Sequence, residues 1–340
     1  MSGALPEGKL DSEILKKIVF ENIHYRRPEV RKRPGIGEDC AVVDFGGYDC
    51  VMSTDPITAA VSDIGRLSIH ISCNDIASNG VQPVGIFLAV MLPLGTTEED
   101  ISHIMKQAAD AAAAVNVEII GGHTEITHAV NQPVIVSTAV GRSPAGFSAS
   151  AEDMREGDVI LMTKKAGIEG TGVIASDYGK ELSKILSQQE ISEARAMLDS
   201  VSVVKEGVAA GNVGTAGMHD ITEGGLLGAV WELCQISGLG ALVEKDKVPV
   251  SDLTKKICDY FGINPLRLIS SGCMLIMVHP ENEDAVKNAV TAEGVEISRI
   301  GVITGKKDGI LLKSGSTTEE ILPPAADELY RVAGHFEPSL

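Results

Sequence analysis

The sequence predicts an α+β protein built as two α/β sandwiches, and three observations carry that expectation. The chain has 340 residues, about twice what one domain usually holds. Strand-like and helix-like segments follow one another in mixed order, without the strict strand-helix-strand repeat of a doubly wound sheet. A stretch of small and polar residues, SPAGFSASAEDMREGDV, separates two such series and places a boundary near 148–156. The expected organisation is an N-terminal domain over 1–150 and a C-terminal domain over 151–340.

The elements are read in order from their periodicities. Ile14, Leu15, Ile18 and Val19 give a short helical pattern within 11–24. PGIGEDCAVVDFGGYDCVMSTDP reads as two strands around a turn at Gly46-Gly47. A helix is expected from about Ser62 to Ser78, stopped by Asn79-Gly80. Strand Gly85–Leu92 follows. Thr96-x-x-Glu99 then resembles a capping box opening a helix with Ile101, Ile104, Met105, Ala108 and Ala112 on one face. Val117–Ile120 and Val134–Val140 read as strands flanking GGHTEI.

The second half restarts with strand Val159–Thr163 and the glycine-rich AGIEGTG. Helices near 168–178, 189–199 and 203–210 are expected next. GMHDITEGG then opens a helix through Leu226, Leu227, Val230 and Leu233. Strands near 240–244, 273–279 and 297–303 and a helix over 281–292 complete the series.

Composition removes several classes of function. A formal charge of −18 disfavours nucleic acid, whose phosphates need a basic field. Aromatic content of 4%, with Trp231 the only tryptophan, argues against a surface for sugars or stacked bases. No run approaches the 18 or so apolar residues of a membrane helix, and MSGALPEGKLDSEILKK lacks the pattern of a signal peptide. Cys40, Cys50, Cys73, Cys234, Cys258 and Cys273 are scattered, without a Cys-x-x-Cys pair. A reduced, cytoplasmic protein without zinc or iron–sulfur ligation is the expectation.

Chemistry concentrates in acidic clusters at expected breaks between elements. They are Gly37-Glu38-Asp39, Ser53-Thr54-Asp55-Pro56, Asn74-Asp75, Gly121-Gly122-His123-Thr124-Glu125, and His219-Asp220 ahead of Thr222-Glu223-Gly224-Gly225. Asp75 is the sharpest clue. At 100° per residue it falls near Ile64 and Ile71 on the apolar face of its helix. It also lies near the helix C-terminus, where the dipole disfavours a carboxylate by roughly 0.3–1 kcal/mol. Such a carboxylate needs a compensating cation or hydrogen bonds; the plainer reading is an Asp bonded to local backbone donors at a fraying end.

Converging carboxylates without Lys or Arg would repel by about 4 kcal/mol per close pair at an effective dielectric of 20. A divalent cation removes that cost, and all-oxygen ligands select magnesium, calcium or manganese. Magnesium takes one or two carboxylates and completes its shell with waters and phosphate oxygens. Several separated Asp residues therefore suit two or more ions on a triphosphate.

Gly224-Gly225 at a helix start would let backbone N–H groups approach a phosphate, although glycine pairs at turns are common. The chain has no G-x-x-x-x-G-K-[ST]; GVITGKKDG has the wrong spacing. Lys9, in PEGKL, is either solvated or in reach of phosphate. His123 and His219 sit beside acidic residues and are either acid/base groups or structural histidines.

In this order GIGEDCAVV, STDP, NDIASNG, GGHTE, HDITEGG and SSGCMLI resemble the superfamily of aminoimidazole ribonucleotide (AIR) synthetase, the hydrogenase maturation factor HypE, selenophosphate synthetase and thiamine-monophosphate kinase. The resemblance spans roughly 7–310 and is nearest the HypE-like branch. It implies a two-domain AIR synthase-like fold whose N-terminal domains pair in a homodimer to form a β-barrel, with ATP in a cleft at that interface. It implies Asp39, Asp55, Asp75, Glu125 and Asp220 as magnesium-side residues. Lys9, Gly37, Thr54, Asn74, Gly121, Gly122, Gly224 and Gly225 would line the nucleotide, leaving His123, His219 and Glu223 as candidates for catalysis.

The shared chemistry is ATP-dependent phosphorylation of an amide or carbonyl-type oxygen, which relies on positioning and metal electrostatics. The acceptor would be a small molecule or a group carried on a protein, with a maturation partner as a further expectation. HypE members end in a cysteine that carries the group to be dehydrated, whereas this sequence ends AGHFEPSL. Selenophosphate synthetases carry a reactive Cys or selenocysteine near the N-terminal lysine, and none precedes Cys40 here. The kinase branch has Asp where His123 stands. A thiamine-monophosphate-kinase-like kinase, a purine-pathway synthetase and a non-catalytic nucleotide-binding maturation partner are the alternative readings.

Overall fold

The computed structural model describes residues 10–58, 61–147, 151–324 and 326–333. Lys9 and the final AGHFEPSL stretch from 334 onward lie outside the described residues.

The first sheet holds β1 (Val30–Lys32), β2 (Ala41–Asp44), β3 (Tyr48–Ile57), β4 (Pro83–Leu92), β5 (Glu118–Ile126) and β6 (Val134–Pro144), in the order β1-β2-β3-β6-β4-β5. Only β4 and β5 pair in parallel. The second sheet holds β7 (Val159–Thr163), β8 (Gly217–Asp220), β9 (Gly240–Glu244), β10 (Met274–Val278), β11 (Ile297–Thr304), β12 (Ile310–Ser314) and β13 (Thr317–Glu320), in the order β13-β12-β9-β11-β7-β10-β8. Helices pack on these mixed sheets, giving the expected α+β architecture.

The helix Ile64–Ser78 is the hinge of the fold. Thirteen of its fifteen residues are buried, so it has no solvent face at all. One side covers the first sheet; the other meets the helix Val204–Val213 and the second sheet through Val203, Val204, Met218 and Ile276 in one continuous apolar core. A second core lies under the helix Gly225–Ser237. Asn74 ties the halves together: its amide donates to Val201 O at 2.8 Å and accepts the Val203 N–H at 2.8 Å.

Several elements depart from the sequence reading. GGHTEI is not a break, because β5 runs straight through it. Gly122 has a positive φ of +146°, and a Cβ there would sit 1.9 Å from Leu88 O, so the strand pairing itself already requires glycine. STDP likewise lies inside β3. The ladder with β2 stops at the Ala41–Met52 pair, so Ser53–Ile57 is a free edge on that side, where Pro56 is tolerated. The capping box is Thr97 with Asp100, one residue later than expected. The helix Asp252–Phe261 and the strands β1, β8, β12 and β13 were not anticipated.

Candidate functional site

A cleft of about 860 Å³ lies where the two halves meet. Its walls come from the loop Gly35–Asp39, the free edge of β3, the helix Ile64–Ser78, the end of β8, and the segment carrying Glu223 and Glu232. The lining carboxylates include Glu38, Asp39, Asp55, Asp75, Glu169, Asp220, Glu223 and Glu232, and among the described residues no Lys or Arg lines the cleft. Lys32, which reaches Glu38 at 3.1 Å, stands behind this wall.

Topology explains the convergence. β3 and the helix Ile64–Ser78 are neighbours, so Asp55 and Asp75 face one another across Ser53. The Ser53 hydroxyl donates to Asp75 Oδ2 and lies 3.5 Å from Asp55 Oδ2. The Ser78 hydroxyl bonds Asp39 Oδ2 at 2.9 Å. From the other half, β8 ends by delivering His219 and Asp220. His219 Nδ1 lies 3.3 Å from Asp39 Oδ2, and its Nε2 lies 3.1 Å from Glu232 Oε2. Ligand-capable atoms of Asp39, His219 and Asp220 all lie within 4.8 Å of one another.

The electrostatics follow from burial. Asp39 is pushed up to about 7, by desolvation first, then against the opposing pull of His219, with Asp220 and Glu232 adding to the rise. Asp75 is driven well above the usual carboxylate range by burial and by Asp55, Asp220 and Asp39. Glu169 rises to about 7 through burial, although it accepts the Ser271 N–H at 3.2 Å. His219 goes the other way from a buried histidine: burial disfavours its charge, but Asp39, Asp220 and Glu232 outweigh burial and hold its pKa well above the ordinary value. It is the cation of the cluster.

Asp220 tests whether a metal fits. It is fully buried, and neither carboxylate oxygen meets a hydrogen-bond donor among the described residues. Its nearest cationic atom, His219 Nδ1, is 3.8 Å away, beyond hydrogen-bond reach. Buried polar atoms are almost always paired. Two bare carboxylate oxygens beside Asp39 are a donor set for a hard divalent cation such as magnesium.

The remaining candidates fall into two groups. Gly37, Thr54 and Glu223 line the cleft, with the Thr54 hydroxyl bonded to Ser137 O at 3.0 Å. Asn74 is spent on the interdomain backbone bonds described above. Gly121, Gly122, His123 and Glu125 lie on edge strand β5. His123 and Glu125 pair in register with Ala89 and Met91, whose β6 partners Val136 and Val134 lie on the face opposite Asp55. They therefore point away from this chain's own cleft. His123 and Glu125 approach each other at 3.4 Å and are exposed.

Gly224 and Gly225 form a left-handed turn at φ +86° and +62° ahead of the helix Gly225–Ser237. Their N–H groups are occupied: Gly224 donates to Asp327 Oδ2 at 2.8 Å and Gly225 to Thr222 O at 3.0 Å. A Cβ on Gly225 would lie 2.7 Å from Leu266 O, so packing already demands glycine there. Sequence reasoning missed Ser53, Glu169, Glu232 and Ser271 in the cleft lining, and Asp327, which holds the glycine turn beside it. Ser53 and Ser271 stood inside the quoted motifs STDP and SSGCMLI. Glu169 stood in AGIEGTG, while Glu232 and Asp327 carried no local signal.

Comparison with known proteins places the fold. Residues 37–143 match the N-terminal domain of AIR synthase related protein, and residues 155–313 match its C-terminal domain. A Methanocaldococcus jannaschii protein, provisionally named a hydrogenase expression/formation protein, is 25% identical over 336 residues, covering 96% of this chain and 97% of its own. Carbamoyl dehydratase HypE of Bradyrhizobium diazoefficiens is 29% identical over 263 residues, covering 75% and 74%. Two solved structures share the fold. HypE in a HypE–HypF complex gives a TM-score of 0.75 at 21% identity, covering 91% of this chain and 99% of that one. HypE in complex with ATP gives 0.69 at 20% identity, covering 96% and 97%. The chain belongs to the AIR synthase-related family.

Proposed function

We propose that this protein is a magnesium-dependent, ATP-using enzyme of the HypE-like kind, which phosphorylates a carboxamide or similar carbonyl-type oxygen on a separate acceptor. The observation that carries this reading is the buried Asp220, whose oxygens accept no hydrogen bond among the described residues, facing Asp39 in a cleft that no described lysine or arginine lines. A triphosphate would be repelled by such a wall unless divalent cations lay between them. Magnesium would be held by Asp39, Asp55, Asp75 and Asp220, and would supply charge neutralisation for a bound phosphate.

The chain's own residues then divide the work. His219, locked between Asp39 and Glu232, supplies fixed positive charge rather than a mobile proton. Ser53 and Ser78 orient Asp75 and Asp39. Glu223, which accepts the Tyr330 hydroxyl at 2.9 Å, is placed at the cleft wall to take a proton from an acceptor amide. None of the six cysteines is exposed, which supports an acceptor carried on another molecule. The carbamoyl dehydratase name of a relative and the ATP complex of a structural neighbour support the same chemistry, and the HypE–HypF complex supports a protein partner.

A homodimer belongs to this reading. The outer face of the first sheet is apolar and uncovered: Met52, Val136 and Met91 are only partly buried, and Phe87 and Ile120 are 44% and 47% exposed. Pairing two such faces would close a barrel and bring His123 and Glu125 of the partner subunit toward the cleft, a position they do not reach within one chain. The experiment is ADP release in the presence of magnesium and carbamoylated or carboxamide-bearing acceptors. Acceptor-dependent ADP release supports the enzyme; ATP binding without turnover on any acceptor supports a non-catalytic maturation partner instead.

A further inference from the structure

The segment Arg26–Arg33 is the densest basic block in a chain of net charge −18, with five of the 29 Lys and Arg residues in eight positions. Three of these cations are neutralised locally. Arg27 meets Glu29 at 2.6 Å, Arg31 meets Asp44 at 2.5 Å and Asp49 at 3.3 Å, and Lys32 meets Glu38 at 3.1 Å. Arg26 and Arg33 differ, since neither contacts a carboxylate among the described residues. Arg26 Nη1 donates to Ile23 O and, at 3.2 Å, to Tyr25 O; Arg33 Nη2 donates to Arg27 O at 2.8 Å. Backbone carbonyls hold both guanidinium groups in place without cancelling their charge.

Both line a separate cavity of about 290 Å³, together with Phe20, Ile23, Tyr25 and Val30. Tyr25 is 80% exposed and Ile23 41% exposed. These exposed side chains give the pocket an apolar wall beside the two fixed cations. The cavity ends at Pro34, and the acidic cleft begins at Gly35.

We propose that this pocket is a docking site for an acidic protein segment, with a carboxylate on Arg26 and Arg33 and an apolar or aromatic side chain on Phe20 and Tyr25. The chemistry on both sides is complementary. Arginine forks match carboxylates in geometry as well as charge, and arginine clusters are a recurring means of reading acidic motifs. The volume suits one or two side chains rather than a folded surface. The strongly negative remainder of the molecule would repel a polyanion such as RNA that had to lie along it, while a short acidic segment reaches the pocket alone. A partner anchored there would stand one residue from the lip of the cleft. The assignment needs neither ATP nor magnesium and is independent of the nucleotide reading.

The test is fluorescence anisotropy on the full chain, without nucleotide, using a fluorescein-labelled pentapeptide of alternating glutamate and phenylalanine. The same peptide with glutamine for glutamate and an oligo(A) RNA of equal charge are the comparisons. We expect the acidic peptide to bind at least tenfold tighter than the glutamine peptide, with affinity falling as salt rises. The double variant Arg26→Gln/Arg33→Gln should lose at least tenfold, and Tyr25→Ala, at a position 80% exposed, should lose several-fold with unchanged thermal unfolding. Equal binding of the two peptides, unchanged binding by the double variant, no binding at millimolar peptide, or preference for the RNA would each overturn the proposal.

Discussion

Asp327 accepts the backbone N–H of Gly224 at 2.8 Å, across 103 positions of chain. It also accepts the N–H groups of Ile269 at 3.2 Å and Leu329 at 2.9 Å, while 2% exposed. One carboxylate thereby fixes the glycine turn, the SSGCMLI approach and the start of the final described helix, Glu328–Ala333.

Removing this acceptor leaves one buried and two partly buried N–H groups without their partner. Asp327→Ala should lower stability by roughly 2–4 kcal/mol, at the upper end for a charged acceptor. Chemical denaturation measures it. The pH sign is fixed by burial, which raises Asp327 to about 6 against its backbone donors. A group raised on folding contributes stability that is full below the ordinary carboxylate range and lost as pH rises through the folded value. The stability gap between wild type and Asp327→Asn should therefore narrow between pH 4 and pH 7.

The cleft carboxyls make the same kind of prediction on a larger scale. Asp39 and Glu169 both stand at about 7, raised chiefly by burial. Folding takes up protons between about pH 4 and 7, so stability in EDTA should fall as pH rises from 5 to 8. Magnesium competes with those protons. Its stabilising effect in thermal unfolding should consequently grow over the same interval, and a magnesium effect that shrank with rising pH would contradict the assignment.

Asn74 is predicted to be structural. Its two bonds to Val201 and Val203 are fully buried. Asn74→Ala should cost about 2–3 kcal/mol through the stranded backbone groups, while leaving the affinity for ATP and magnesium of the folded fraction within about twofold. A large loss of affinity at unchanged stability would return Asn74 to the nucleotide site.

The exposed sheet face predicts the assembly. Phe87→Asp places a charge on a side chain that is 44% exposed in one chain. Under the proposed dimeric reading it should leave the monomer folded and halve the mass in light scattering. Under the dimeric reading it should also weaken magnesium–ATP binding, because Glu125 of the partner subunit would no longer reach the cleft.

Particular residues show why some of this was legible in the sequence. Val159–Thr163 and Met274–Val278 are unbroken apolar runs bounded by turn signals, and both are central strands buried at every position. Asp75 is conspicuous in the sequence because a carboxylate on the helix face of Ile64 and Ile71 needs a partner. The helix Asp252–Phe261 was readable but unread: Ser251 caps it and Gly262 ends it. Other features have no local signal. Glycines at 121 and 122 read as a break, yet β5 continues through them, their positive φ angles being open to glycine. Glu169, Glu232 and Asp327 reach the site only because distant elements are folded together, and no spacing along the chain encodes that.

The central claim is a metal-dependent nucleotide site built on Asp220. The most direct test is thermal unfolding of wild type and Asp220→Asn with ATP plus magnesium and with ATP plus EDTA. At 100 times Kd, binding adds about 2.7 kcal/mol, an upward shift of several degrees. The account predicts that shift for wild type in magnesium only. Asp220→Asn should remain folded in EDTA and gain nothing from magnesium–ATP. An equal shift in EDTA, or an undiminished shift in Asp220→Asn, would contradict it.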